Sequence, residues 1–271
     1  MSAPMISKQI KHNNLSSVQT SMLNKKIKTV LEFVTKRRFE KADISVSDIR
    51  TTVSFKEKMN YRLCTGFAQK ALCEQKLCGD SFCHVTTENS SEAIIISDGM
   101  GTGGRASVDS QMTVSLMEKL LSSGFSFDSA VKIVNSSLIM RSTDESFATV
   151  DALSVNLYTG VAEFHKAGAA ISFIRRENNV TTVEKASLPI GIIRNVELSS
   201  GTVALQPGDI VLLVSDGATA GDCGWISDEL LAWNHGSMEN LANHIVSLAK
   251  LRNSDSNADD ITAAAVKLMK N

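Results

Sequence analysis

Short strands joined by tight turns constrain the fold of this 271-residue chain most strongly. Beyond residue 142 the apolar residues follow a period of two, as in the stretch 153–157, which runs into the turn YTG at 158–160. Two further turns, NN at 178–179 and PGD at 207–209, also lie between strand-like segments. Strands joined by short turns pair antiparallel, and a purely parallel sheet is therefore excluded.

Helical periodicity interrupts the strands at a few places. Apolar residues recur every three or four positions in four segments, which are predicted to be helices from residue 24 and at about 106–122, 127–141 and 238–250. Helices that pack outside antiparallel sheets give an α+β fold, and we predict a β-sandwich flanked by α-helices. Residues 1–40 are predicted to be an arm and an amphipathic helix, and residues 41–271 the folded domain.

The composition limits the partners. The 28 basic and 29 acidic residues nearly balance, so no basic field indicates a nucleic-acid partner. No apolar run approaches the roughly 20 residues of a membrane-spanning helix, and the N-terminus lacks the apolar core of a secretory signal. We therefore expect a cytoplasmic chain that makes no membrane contact itself, unless it is tethered as part of a longer protein.

Three of the five cysteines call for a separate interpretation. Cys73, Cys78 and Cys83 are spaced five apart, and His84 follows them directly. A zinc site is the sharper interpretation, but this spacing contains no CxxC pair. The pattern favours buried or half-buried thiols.

Two strongly apolar strands end in the same tripeptide, Ser-Asp-Gly. The first places Asp98 within IIISDGMGTGG at 94–104, and the second places Asp216 within IVLLVSDG at 210–217. One copy would fit an ordinary Asp-Gly turn, and GxGxxG at 99–104 would fit a dinucleotide site. However, no βαβ unit follows the glycines. Two converging carboxylates repel unless a cation lies between them, and the repetition favours metal binding.

Further acidic residues extend this set. Asp80 follows Gly79, and Asp259 and Asp260 directly precede the strand-like segment that begins at Ile261. Each alone fits a turn or a polar strand start. Together they form a carboxylate set without matching histidine or cysteine ligands, and such oxygen donors select Mg²⁺ or Mn²⁺ rather than zinc.

The motifs GDSF, ISDGMG, VSDG and DDIT occur in this order along the chain. In this they resemble the metal-dependent protein phosphatases of the PPM superfamily, and the phosphatase domain of stage II sporulation protein E in particular. The GGRA that follows SDGMG and the LPIGI at 188–192 add to the resemblance, which covers about residues 60–269. It implies a β-sandwich between helical layers, in α/β/β/α order.

The resemblance also implies a metal centre with two divalent cations, Mn²⁺ or Mg²⁺. Asp98 would bridge the two cations with help from the Gly99 carbonyl, while Asp216 and Asp259 would hold the second. Asp80 would act on the first cation directly or through water. Asp98 and Asp216 are accordingly the predicted catalytic residues. Asp260 stands where the family often has Asn and is a second choice to Asp259 as a ligand.

The implied activity is hydrolysis of phosphoserine or phosphothreonine by water that the cations activate. By the same resemblance the substrate is a phosphorylated anti-anti-sigma-type protein in sporulation or stress signalling. A catalytically inactive scaffold with the same fold is the alternative, and a homodimer is open. Many superfamily members grip the phosphate with an upstream arginine, for which Arg62 is the candidate here.

Overall fold

A computed structural model describes residues 5–11, 17–46, 50–72, 77–101, 103–141, 146–220, 222–253 and 259–271. In these ranges the helices are α1 (Ser17–Thr35), α2 (Gly104–Ser122), α3 (Phe127–Arg141), α4 (Asp216–Thr219), α5 (Gly224–Ala232) and α6 (Met238–Arg252). The strands are β1 (Met5–Lys11), β2 (Asp43–Val46), β3 (Arg50–Lys56), β4 (Tyr61–Lys70), β5 (Asp80–Thr86), β6 (Ser91–Asp98), β7 (Val150–Asn156), β8 (Val161–Ala167), β9 (Ser172–Arg176), β10 (Asn179–Val183), β11 (Ser199–Ala204), β12 (Ile210–Val214) and β13 (Ile261–Lys270).

Ten of these strands form two antiparallel five-stranded sheets. Their orders are β11-β8-β7-β6-β5, called the first sheet, and β10-β9-β12-β13-β4, called the second sheet. The predicted turns at 158–160 and 178–179 connect the paired strands β7–β8 and β9–β10. The turn at 207–209 does not join paired strands. It is a crossover between the sheets, because β11 belongs to the first sheet and β12 to the second.

The sheets pack face to face and carry helices on their outer faces. In β6, Ile94 and Ile96 point into the core between the sheets, while Ala93 and Ile95 pack under α2 and α3. Both faces of the strand are thus buried, which explains why its sequence is continuously apolar rather than alternating. Helices α4, α5 and α6 cover the second sheet. The predicted α/β/β/α sandwich is confirmed.

A buried ion pair in the first sheet is linked to the second sheet through Ser172. Lys166 in β8 is fully buried, and its ammonium donates to Asp151 Oδ1 at 2.7 Å, to Ser172 Oγ at 2.7 Å and to the Ala170 carbonyl at 2.6 Å. The Ser172 hydroxyl donates in turn to Asp151 Oδ2 at 3.1 Å. All three ammonium hydrogens have acceptors. We call Lys166, Asp151 and Ser172 the lysine cluster.

The N-terminal part forms a small structure of its own. Strands β1, β3 and β2 make a three-stranded sheet, although the sequence predicted only an arm before the first helix. The predicted amphipathic helix is present as α1, but its apolar residues Val30 and Val34 are 61% and 71% exposed. Strands from both sides of residue 40 share this sheet, and the domain boundary near residue 40 stays a prediction. None of the helices in the described ranges is long and apolar enough to cross a membrane.

Candidate metal centre

The first two predicted ligands face each other across neighbouring strands. Asp80 opens β5 and Asp98 closes β6, and the antiparallel register places the two residues directly opposite each other. Like charges in this position destabilise a sheet, since directly opposed side chains are close neighbours. Both lie at the end of the first sheet where Ser-Asp-Gly leaves the core. The sequence predicted each strand end, and the pairing register supplies their juxtaposition.

The second sheet supplies the other two carboxylates from the same end of the sandwich. Asp216 follows β12 and Asp259 precedes β13, and these strands pair so that Val214 lies opposite Ala263. We call Asp80, Asp98, Asp216 and Asp259 the aspartate cluster.

Electrostatics shows that the other three groups of the aspartate cluster act on Asp98. Partial burial, followed by the charges of Asp80 and Asp216 and then of Asp259, raises the pKa of Asp98. The pKa of Asp216 is also raised, by burial first and by Asp259 second. The shift of Asp216 is the weaker indication, because its side chain is exposed at the rim. Asp98 therefore sits at the focus of the repulsion, as a bridging ligand would.

Asp80 is the most deeply buried member of the cluster. It is only 4% exposed, and within the described residues neither carboxylate oxygen has a hydrogen-bond partner. Burial raises the pKa of Asp80, and the nearby hydroxyls of Thr262 and Ser215 oppose the rise without reaching good hydrogen-bond geometry. An unpartnered buried carboxylate is costly, which indicates that this group is completed by a ligand.

Backbone contacts hold Asp98 in place. Its amide donates to Thr149 Oγ1 at 2.9 Å, and its carbonyl accepts from the Thr149 amide at 2.8 Å. The next residue, Gly99, is buried where α2 crosses the strand end, and a Cβ there would collide with the Ala106 carbonyl. Glycine is required at Gly99 because the helix approaches so closely.

Three polar residues that the sequence did not single out support the ends of both sheets. The Gln69 amide in β4 donates to the Asp80 carbonyl at 3.0 Å and to Thr262 Oγ1 at 3.1 Å, so it bridges the two sheets. Ser215 Oγ accepts from the Thr262 amide at 2.8 Å. Gln69 and Thr262 are opposite each other in the β4–β13 register. Only the pairing of strands distant in sequence reveals this role.

Asp260 differs from the four cluster members. Its Oδ1 accepts from the Leu72 amide at 2.6 Å, and its Oδ2 accepts from the Gly79 amide. Asp259, by contrast, uses one oxygen to accept from the Asp260 amide at 2.8 Å. The structure thus separates the two neighbouring aspartates, which the sequence could not do.

The carboxylates of the aspartate cluster are close enough to repel one another, but they do not surround a single metal position. Among the described residues, no three Asp, Glu, His or Cys side chains converge as ligands around one metal position. Cys78 and Cys83 are half-buried thiols, and burial raises the pKa of each to about 12. His84 binds Glu92 at 2.9 Å instead. Cys73 lies outside the described residues. A cation would have to draw the four carboxylates inwards.

Arg62 is placed wrongly for a phosphate ligand. It lies opposite Met269, whereas Lys70 at the other end of the same strand lies opposite Ile261, next to the aspartate cluster. Eight residues of strand correspond to about 26 Å. Arg105, in the first turn of α2, lies at the correct end and donates to Ser146 Oγ at 3.2 Å.

Comparison with known proteins places this chain in a family. The sequence model of the family "Stage II sporulation protein E (SpoIIE)" matches residues 89–269. The stage II sporulation protein E of Bacillus subtilis (strain 168) is 37% identical over 169 residues, and that of Priestia megaterium is 34% identical over 169 residues. Each match covers 62% of this chain but only 20% and 29% of these relatives, respectively.

Solved structures agree. The PP2C phosphatase domain of B. subtilis SpoIIE with a fragment of its regulatory domain has a TM-score of 0.79 at 28% identity, covering 98% of this chain and 79% of that one. The phosphatase domain in another crystal form has a TM-score of 0.60 at 30% identity, covering 79% and 95%. RsbX in complex with magnesium, 16% identical with a TM-score of 0.59 and covering 84% and 99%, shares the fold. The chain belongs to the stage II sporulation protein E family, and its sandwich is a phosphatase domain of the PP2C type.

Proposed function

We propose that this chain is a metal-dependent protein phosphatase that hydrolyses phosphoserine or phosphothreonine. The observation that carries the proposal is the aspartate cluster, in which two sheets deliver four carboxylates to one end of the sandwich and three of them repel Asp98. A cluster of this kind costs stability in the absence of a cation. A fold used only for binding partners would gain by losing it.

The residues present fit a pair of divalent cations. The donors are carboxylates, and one of them, Asp80, is buried without a hydrogen-bond partner. Hard oxygen donors favour Mg²⁺ or Mn²⁺. Asp98 and the Gly99 carbonyl, with Asp80, would hold one ion, and Asp98, Asp216 and Asp259 would hold the other. Two such ions supply water of lowered pKa and positive charge for the phosphoryl oxygens.

The chain's own contribution is to hold two of the four ligands on paired strands. Asp98 and Asp80 are anchored in paired strands, and Asp98 is also fixed through its backbone bonds to Thr149. Strands position the side chains of a binding site more precisely than loops do. The exposed rim position of Asp216 leaves the end of the sandwich accessible, which suits a phosphorylated side chain presented on a protein surface.

For the substrate we propose a phosphorylated anti-anti-sigma-type protein in sporulation or stress signalling. The resemblance of the motifs and the membership of the stage II sporulation protein E family support this choice. The chain spans a minor part of its curated relatives, and the proposal concerns the reaction of this phosphatase domain.

The test is release of phosphate from a phosphoserine peptide with Mn²⁺ added, compared with the same protein in chelator. We expect activity that depends on the metal, and a loss of at least about a hundredfold for Asp98→Asn. Asp228→Asn, at an exposed position of α5, is the matched control and should behave as wild type. If wild type releases no phosphate, the chain is a scaffold. If Asp98→Asn leaves the rate unchanged, the aspartate cluster is not the catalytic site. Either result would show that the proposal is wrong.

A further inference from the structure

We propose that Asp260 is a positioning residue that fastens Asp80 into the metal centre, and that a carboxylate is required at 260 because it accepts from two backbone amides. This inference rests on the proposed function, since it assigns Asp80 to a metal site. The inference gives the two neighbouring residues different roles. Asp259 is a metal ligand, and Asp260 is a clamp, meaning a residue that fixes the backbone next to Asp80 without binding metal.

The first support is the use of both oxygens of Asp260. Oδ1 accepts from the Leu72 amide, just after β4, and Oδ2 accepts from the Gly79 amide, directly before Asp80. One buried carboxylate therefore holds the connection between β4 and β5 near both of its ends. Hydrogen bonds from amides to an ionised acceptor are among the stronger ones in proteins.

The second support is that Gly79 continues the connection into the strand that carries Asp98. The Gly79 carbonyl accepts from the Gly99 amide at 3.2 Å. A Cβ on Gly79 would lie 3.0 Å from Asp260 Oδ2 and 3.3 Å from the Ala106 Cβ, so a side chain there would push against the carboxylate. The absence of a side chain at Gly79 lets the carboxylate reach the backbone.

The third support comes from the opposite side of Asp260. Its carbonyl accepts from Ser215 Oγ at 3.4 Å, and Gly217 packs so closely that a Cβ there would collide with this carbonyl. The segment that carries Asp216 is thus built around the Asp260 backbone, while the segment that carries Asp80 is held by its side chain. Asp260 connects three of the four segments that supply the aspartate cluster.

The chemistry of the acceptor explains why the residue is Asp. A carboxylate offers an acceptor oxygen to each amide, whereas the carboxamide of Asn offers one oxygen and an NH₂ group. In Asp260→Asn the NH₂ group would face a backbone N–H, and either Leu72 or Gly79 would lose its partner. The substitution preserves size and shape, and it removes the second acceptor together with the negative charge, which also acts on Asp80.

The experiment compares wild type with Asp260→Asn, Asp259→Asn and the exposed control Asp228→Asn in chelator. Hydrogen exchange at single-residue resolution is measured at the amides of Leu72 and Gly79. We expect roughly tenfold faster exchange at one or both of these amides in Asp260→Asn, the effect of one lost hydrogen bond, and no change in the other two variants. Unchanged exchange in Asp260→Asn would overturn the proposal.

Binding of Mn²⁺ by calorimetry then distinguishes a clamp from a ligand. Asp260→Asn should bind as many ions per chain as wild type but roughly 10- to 100-fold more weakly, as when a supporting residue of a metal site is lost. Asp259→Asn should bind one ion fewer. If Asp260→Asn loses an ion while exchange at Gly79 stays slow, then Asp260 is a ligand and the clamp assignment is wrong.

Wild type alone also decides the question if the variant does not fold. The amides of Leu72 and Gly79 should be protected from exchange in chelator, because Asp260 accepts from them without any cation. Protection that appears only after Mn²⁺ is added would contradict the proposal. A wild type that neither binds Mn²⁺ nor releases phosphate would defeat the proposed function, yet the exchange measurement would still report whether Asp260 holds Gly79.

Discussion

The lysine cluster and the aspartate cluster both bury charge in the same sandwich, but they treat it in opposite ways. Lys166 has three acceptors for its three ammonium hydrogens, and its carboxylate partner Asp151 is also bound by Ser172. Asp80 has no partner for either oxygen among the described residues, and it faces Asp98 across the strands. One cluster is complete with the atoms of the chain alone, whereas the other is not.

This difference indicates which buried charges are structural. Burial raises the pKa of Asp151, as it does that of Asp80, but at Asp151 the Lys166 ammonium opposes the rise. In the aspartate cluster the nearest charges have the same sign and add to the rise at Asp98. A buried charge that is paired with an opposite charge, as in the lysine cluster, has a structural role. A buried charge that lies among like charges, as in the aspartate cluster, indicates a binding site.

The largest effect expected of a single substitution comes from disrupting the lysine cluster. Lys166→Met removes the only charge that neutralises Asp151 in the lysine cluster and should lower the free energy of unfolding by about 3–5 kcal/mol. Chemical denaturation measures the loss, with Lys132→Met at an exposed position of α3 as the control. The double variant Lys166→Met with Asp151→Leu should recover much of it. A loss below about 1 kcal/mol in the single variant would contradict the comparison.

The next prediction concerns metal binding at the aspartate cluster. Mn²⁺ at about 100 times its dissociation constant should raise the free energy of unfolding of wild type by about 2.7 kcal/mol per ion, and chelator should reverse the gain. Thermal unfolding with and without Mn²⁺ measures it. Asp98→Asn should gain much less, since the predicted bridging ligand is missing. Equal stabilisation of wild type and Asp98→Asn would show that Mn²⁺ binds elsewhere.

The smallest effect is expected when the unpaired charge of Asp80 is removed by substitution in the absence of metal. Asp80→Asn should raise the free energy of unfolding by about 1–2 kcal/mol in chelator, because a buried unpartnered carboxylate becomes a neutral amide. Burial raises the pKa of Asp80, so metal-free wild type loses stability as the pH rises above the ordinary carboxyl value of about 3.9. The advantage of Asn should therefore grow with pH. Denaturation at pH 5 and pH 8 tests this, and a destabilised variant would show that Asp80 has a partner after all.

Much of this architecture could be predicted from local sequence patterns. The Ser-Asp-Gly ends at Asp98 and Asp216 follow apolar strands, and turn residues between alternating segments indicated antiparallel sheets. These signals are local in the sequence, since each depends on a few neighbouring residues. Helix α3 was predicted with the bounds that the structure has, Phe127–Arg141, because its apolar period is uninterrupted.

The parts that could not be predicted depend on contacts between distant segments. Strand β1 is polar and forms because β3 pairs with it, and a turn sequence such as PGD does not reveal whether its strands share a sheet. Lys166 has an ordinary charged sequence context, and its burial follows from Asp151 and Ser172 on other strands. The different roles of Asp259 and Asp260 likewise depend on the Gly79 amide, far away in the chain.

The crossover from β11 to β12 restricts how the sandwich can move. At that end Arg176 of the second sheet binds Asp209 at 2.6 Å and the Ala204 carbonyl of the first sheet at 2.7 Å. At the opposite end Gln69 and the lysine cluster fasten the same two sheets. Sheets that are tied at both ends cannot part like a hinge. Any motion that widens the access to the aspartate cluster must therefore come from the helices and loops around it, because the two sheets form a fixed frame.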